Sequence, residues 1–361
     1  MSVFISGLDL SRRFFSESVR PLLASAFPQL HYAAALLGPG SEVLGFDTAM
    51  SVDHDWGPRL FLFLREEDAE QGDAIGDLLS HQLPEIFAGF PVSFPHPVAP
   101  KMRRMTRPLT GSVKHRIIPM TVRNFVRMQL GYDLTQPLEA ADWLTFPSHA
   151  LGELVAGEVY HDDVGEITTV RTRFAWYPHD VWLYLLASGW QRIGQEEHLM
   201  PRAGFVGDEL GSALIGSRLV RDSMNLCFLL EKQYAPYPKW FGTAFQRLHS
   251  AKELLPLLWS AQQASTWNAR TQTLARAYEV LARMQNALGM CRILPATVSL
   301  FYDRPFPVIH AERFAQALVE QMTDPAVRHM AKHRLIGNIH QWSDNTDMEG
   351  VEREKLQQLY L

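Results

Sequence analysis

The residues best able to do chemistry together lie in one stretch, 36–64, which reads LLGPGSEVLGFDTAMSVDHDWGPRLFLFL. An apolar run ends at Gly40-Ser41, eleven residues follow, and Asp53-His54-Asp55 leads into the next apolar run. A small-residue turn between a strand and a helix exposes backbone N–H groups where phosphate is favoured, and the Ser41 hydroxyl adds a donor. Aspartates at i and i+2 on a strand face one side, about 6.6 Å apart at their α-carbons. Their carboxylates can converge on one hard cation, or bracket two that lie about 3.5–4 Å apart. Without a cation they repel, and one resists ionisation. Aspartates near a strand end also serve simply as turn and cap residues. Beside a Gly-Ser turn at this separation, the pair is expected to hold Mg²⁺.

Positioning these groups needs a sheet. Residues 31–37 (HYAAALL) and 60–64 (LFLFL) are short apolar runs of the kind that form buried strands, and 115–122 reads as a further strand. A short helical turn is expected at 41–46 and covering helices at 8–27, with Pro21 as a kink, and at 68–83. Residues 90–97, broken by three prolines, can be at most an edge strand. Residues 154–160 and 166–174, on either side of His161-Asp162-Asp163-Val164-Gly165, suggest a hairpin. After Tyr177-Pro178 the pattern turns helical, at 181–193, 208–234, 266–288, 310–322 and 325–336, with Asp208 and Asp324 as caps, the latter before Pro325. The expectation is an α/β (α+β, mixed-sheet) domain over 1–177 and an all-helical domain over 178–361.

Gly40-Ser41 and Asp53-His54-Asp55 at this spacing resemble the signature of the DNA polymerase beta-like nucleotidyltransferase superfamily. The chain as a whole resembles a bacterial family of unknown function assigned there. The segments carrying that likeness are YAAALLGPGSEVLGFDTAMSVDHDWGPR, YPHDVWLYLLASGWQRIGQEE, GDELGSALIGSRLVRDSMNLCFLLEKQYAPYPKWFGTAF and RPFPVI. The resemblance implies a nucleotidyltransferase-like catalytic domain, a helical C-terminal domain and a nucleotide held between them. It assigns phosphate to Gly40 and Ser41 and divalent metal to Asp53 and Asp55. The superfamily has a hydrophobic residue between the two acids, where this chain has His54. It also uses a third carboxylate from a neighbouring strand. The strand expected to supply it, HRIIPM at 115–120, has none, and Glu153, Glu158 and Asp163 are the substitutes.

Charge elsewhere bears on the same chemistry. Lys101, Arg103, Arg104, Arg107, Lys114, Arg116, Arg123 and Arg127 fall in a stretch without an acid. It is either a solvated face or a source of cations for a triphosphate or an anionic acceptor. In the helical half, Tyr234, Tyr237, Lys239 and Trp240 interleave aromatic and basic side chains, able to stack a base and meet phosphates, or simply to form a capping turn. Lys239 is the candidate phosphate contact there, and Glu209 the candidate base for an acceptor hydroxyl.

Other classes fall away. Val43 stands where a dinucleotide fingerprint needs its third glycine, no Gly-Lys-Ser or Gly-Lys-Thr occurs, and HMAKH at 329–333 lacks the glutamate of a zinc-protease motif. With 361 residues, a net charge of -5 and two cysteines, the chain reads as neither a nucleic-acid coat protein nor a disulfide scaffold. Cys227 is expected in the core. No 18-residue apolar run occurs and the opening residues lack the pattern of a signal peptide, so a cytoplasmic protein without membrane association is expected. The function expected is Mg²⁺-dependent transfer of a nucleoside monophosphate from a nucleoside triphosphate to an acceptor hydroxyl on a small molecule. The alternatives are transfer to a protein or tRNA, a non-catalytic nucleotide-binding regulator on the same fold, and a hydrolase using water as acceptor.

Overall fold

Four runs of sequence build the one extended sheet of the computed structural model, which describes residues 4–94, 97–99, 102–106 and 111–360. They are β1 (Tyr32–Leu36), β2 (Arg59–Leu64), β3 (Arg116–Thr121) and β4 (Glu158–Asp162), in the spatial order β3-β2-β1-β4. β1 runs antiparallel to both β2 and β4, and β2 runs parallel to β3, with Arg59 opposite Arg116. Every residue of β1 and β2 is buried, as expected of strands covered on both faces. Along β2 the two faces alternate: Leu60, Leu62 and Leu64 join Leu10, Phe14, Ile75 and Leu79 in one core. Phe61 and Phe63 meet the Phe125 ring at 5.0 and 5.2 Å on the other.

The chain divides into two compact units, 1–137 with 150–175, and 138–149 with 176–361. The first holds the sheet; the second is mostly helical, with a two-stranded ribbon, Ser299–Phe301 and Arg304–Val308. Its central helix, His179–Glu196, stacks Trp190 on Phe314 at 4.5 Å and sends the Trp182 indole N–H to the Leu229 carbonyl at 2.8 Å. Cys227 is fully buried. Asp208 accepts the Gly211 N–H at 2.7 Å and Asp324 that of Ala326 at 2.8 Å, so both act as helix caps. No described helix is long and apolar enough to cross a membrane.

Several local expectations change. Residues 154–174 do not form a hairpin: they are the end of the helix Ser148–Val155, then β4, then the helix Glu166–Arg173. β4 pairs with β1 instead of a neighbour in sequence, and the Asp162 carboxylate takes the Gly165 and Thr168 N–H groups, which starts a helix where a return strand was expected. The 8–27 helix is Gly7–Phe14, a π-helical turn at Phe15–Val19, and Arg20–Ala26 with Pro21 in its first turn. Residues 41–45 form successive turns. Within the proline-broken segment, Phe90–Pro91 pairs with Ile86–Phe87, Ser93 bridges to Thr106 and Pro97 pairs with Arg103, while residues 95 and 96, with Lys101 and Arg107 of the basic stretch, lie outside the described residues.

Candidate functional site

The antiparallel register of β1 and β2 brings the exit of one strand and the entry of the other to one end of the sheet. Gly40 and Ser41 follow β1 there, the Asp53–Asp55 loop precedes β2, and Arg59 and Arg116 begin β2 and β3. Behind Gly40 lies a buried ion pair. Arg59 Nε and Nη2 donate to Glu42 Oε1 at 2.8 and 2.5 Å, and Nη2 also reaches the Pro39 carbonyl at 2.8 Å. A Cβ at position 40 would stand 2.4 Å from that guanidinium and 2.8 Å from the Glu42 carboxylate, so only glycine lets the turn pack on the pair. The Ser41 side chain is partly exposed.

Asp53 and Asp55 are not on a strand, contrary to the expectation. Asp53 ends a 3₁₀ turn, Ala49–Asp53, and Asp55 adopts φ +51°, so the alternation that would align their carboxylates is missing. The sequence Trp56-Gly57-Pro58 delays β2. Trp56 is buried and donates its indole N–H to Asp47 Oδ2 at 3.0 Å, which also takes the Gly7 N–H at 2.7 Å; these contacts anchor the loop from below. Asp53 is exposed, and the His54 Nδ1 contact at 2.8 Å holds its carboxyl below the usual range. Asp55 Oδ1 accepts from Arg116 Nη1 at 2.7 Å and from the Arg103 N–H at 3.3 Å. Arg104 Nε reaches the Asp53 carbonyl at 3.0 Å. The basic stretch thus delivers three arginines to this loop, while Arg123 and Arg127 both pair with Asp133. Burial and then the nearby Arg59 guanidinium push the Arg116 pKa down, and Asp55 opposes that. The side-chain partners of Asp53 and Asp55 both meet Oδ1, and two partly exposed carboxylates are hard oxygen donors of the kind that fit Mg²⁺.

β3 carries no carboxylate, and its first residue meets Asp55 with a guanidinium. The substitutes have other partners: Glu158 binds Arg12, Asp163 stands 2.8 Å from His161, and buried Glu153 accepts from Gln129 at 2.9 Å. Glu42 and Arg59 escaped the sequence reading, whereas Arg116 was named there as one of the cations of the acid-free stretch.

The second unit holds Glu209 and Lys239 apart. Glu209 begins the helix Glu209–Leu230, where its carboxylate accepts the Trp267 N–H at 3.1 Å and lies 3.7 Å from Arg270. Lys239 belongs to the helix Pro238–Phe245, which meets the other end of that helix through Phe241 and Phe228, 5.3 Å between rings; its ammonium lies over the Trp240 ring at 4.9 Å. The two ends of that 22-residue helix are about 30 Å apart at about 1.5 Å per residue. Beside Phe228 and Phe241 opens a cavity of about 370 Å³, walled by Tyr234 and Tyr237 and, opposite, by residues 338–349.

At the cavity edge His149, His340 and Glu349 bring three possible ligand atoms within 4.8 Å of one another, the one such group found among the described residues. Glu349 lies 3.1 Å from His340 Nε2 and 3.7 Å from His149 Nε2. His340 Nδ1 accepts the Ser148 N–H at 3.2 Å, so Nε2 carries the ring proton and donates it to Glu349. A ring bonded this way has no lone pair left for a metal. Burial and His340 push the His149 pKa down to about 4, while the His340 hydrogen bond holds Glu349 below its ordinary value. With His149 and His340 separated by 191 positions in the chain, no sequence spacing signals this group.

Residues 143–241 match the model of a domain of unknown function, DUF4037. The match takes in His149, Phe228, Tyr234, Tyr237 and Phe241 and leaves out the Gly40–Asp55 segment. No curated protein and no solved structure matches the chain.

Proposed function

We propose that the first unit is a Mg²⁺-dependent nucleotidyltransferase that moves a nucleoside monophosphate from a nucleoside triphosphate to an acceptor hydroxyl on a small molecule. The observation carrying this reading is the gathering, at one sheet end, of a Gly-Ser turn, two partly exposed carboxylates, and guanidinium groups. Gly40 seats the turn on the Arg59–Glu42 pair, and Ser41 beside it offers its hydroxyl proton to a phosphate oxygen. Arg116 neutralises Asp55 in the free protein and is placed to exchange it for a phosphate oxygen when the triphosphate arrives. Magnesium at Asp53 and Asp55 would supply charge neutralisation for the attacking and leaving oxygens. The acceptor oxygen bonds to the α-phosphorus as the bond to the β-phosphate bridge breaks, pyrophosphate leaves, and the hydroxyl proton passes to solvent.

The Arg116–Asp55 pair also favours a second reading, a non-catalytic nucleotide binder, because a cation stands where a third carboxylate would complete a two-metal site. Melting temperatures with ATP, GTP, CTP and UTP, with and without Mg²⁺, and pyrophosphate release with an acceptor panel separate the two. Ligand at 100 times its dissociation constant stabilises by about 2.7 kcal/mol. The proposal expects a Mg²⁺-dependent rise with one triphosphate and pyrophosphate release, both lost in Asp53→Asn and Asp55→Asn. A rise without release selects the second reading, and no rise with any triphosphate overturns both.

A further inference from the structure

We infer that the cavity of the second unit binds an organic cation, an ammonium or amidinium group on a flat apolar body, through the Glu349 carboxylate and the rings of Phe228, Tyr234, Tyr237 and Phe241. This inference is independent of the reading of the first unit.

Charge on the cavity wall is the starting point. Arg221 lines it, but its guanidinium is paired with Asp344 and lies 3.6 Å from Asp222. Glu349 differs: its ion-pair partners among the described residues are His149 and His340, with no lysine or arginine. His149 is neutral at pH 7, and the hydrogen bond from His340 favours the ionised carboxylate. An acid at the wall of an aromatic cavity, partnered by two imidazoles and by no permanently charged group, is an arrangement that a bound cation balances.

The rings point the same way. Aromatic faces carry negative charge density and attract cations, the more so when water is excluded. An anion would meet both those faces and Glu349. A neutral molecule would strip water from the carboxylate and return no charge. A metal ion is the other cationic occupant, and the proton on His340 Nε2 argues against it. The volume, about 370 Å³, lies at the small end of the range for small-molecule sites of about 300–1,000 Å³.

Calorimetric titration of the full chain at pH 7.5 with benzylammonium, benzyl alcohol, phenylacetate and adenosine tests this directly, with Zn²⁺ alone as a fifth probe. Benzylammonium is expected to bind at least tenfold more tightly than benzyl alcohol, with phenylacetate weaker than both. Glu349→Gln should bring benzylammonium down to the level of the alcohol, and Phe241→Leu should weaken it several-fold. The ranking of probes is read on the unaltered protein, so it stands even if a variant misfolds. Equal affinity for ammonium and alcohol, a preference for phenylacetate or adenosine, or no binding of benzylammonium overturns the inference. So does stoichiometric Zn²⁺ binding that is lost in His149→Ala.

Discussion

The two units differ in how they hold their buried charges. At the sheet end of the first, charge is balanced ion against ion: Glu42 by Arg59 and Asp55 by Arg116. The second has such pairs too, Asp142 with Arg353 and Glu196 with Arg218, but it also holds groups whose charge burial works against. Glu197 accepts the Ile309 and Ala311 N–H groups at 2.7 and 3.0 Å, and burial nevertheless pushes its pKa up to about 7. Burial raises Asp222 to about 6 and lowers His149 to about 4. Cross-paired charge makes a rigid scaffold that punishes loss of either partner. Charge held by burial makes a region whose stability follows pH.

The sharpest way to break this contrast is to remove one partner of the innermost pair. Glu42→Ala leaves Arg59 buried without a counterion and should destabilise the first unit by about 3–5 kcal/mol, read by urea titration with far-UV circular dichroism. A loss under about 1 kcal/mol would mean that the Pro39 carbonyl and water satisfy the guanidinium.

The second unit should show pH dependence of two opposing signs. Glu197 and Asp222 have folded pKa values above their ordinary 4.5 and 3.8, so their ionisation weakens the fold as pH rises towards about 7 and 6. His149 has a folded value below its ordinary 6.5, so its contribution is intact above 6.5 and disappears as pH falls through about 4. Glu197→Gln should therefore steepen the rise in melting temperature from pH 4.5 to 6.5, and His149→Phe should flatten or reverse it. Tryptophan fluorescence suits the measurement, because eight of the nine tryptophans lie in the second unit and Trp56 alone in the first. Identical pH profiles for wild type and both variants would refute the assignment.

Smaller effects test the periphery. Asp55→Asn removes a partly exposed pair and should cost about 1 kcal/mol or less, whereas the proposed function expects it to abolish transfer. Asp53→Asn, at an exposed carboxylate, should leave the melting temperature unchanged; a clear drop would reveal a structural role for the His54 contact.

Strands were legible where burial on both faces made the apolar run unbroken, as in AAAL and LFLFL. Helices were legible where caps such as Asp208 and Asp324 punctuate the pattern. The 154–174 region misled because Asp162 and Gly165 serve a helix start as readily as a turn, and β4 finds its partner more than 120 residues earlier in the chain. The Gly-Ser turn and the two aspartates were visible as types and spacing, but their placement was not: three residues after Asp55 move the pair off the strand. The missing acid on β3 was visible as well, whereas the guanidinium that reaches Asp55 in its stead depends on strand pairing. The cavity and its carboxylate were hidden because His149, Phe228 and Glu349 meet only through tertiary folding.

The assignment of residues 138–149 to the second unit sets an order of events during synthesis. The Asp142 carboxylate is bound by Arg353 and Gln357, and Tyr360 reaches the Leu144 and Gly337 carbonyls. These partners leave the ribosome more than 200 residues later, roughly 10–40 s at 5–20 residues per second. For that interval the Asp142 segment, with the apolar side chains of Trp143 and Phe146, must wait with its final neighbours unmade, while residues 150–175 can already complete the sheet. A fragment cut at residue 177 would make that wait permanent, leaving Arg353 without its acid and neither half whole.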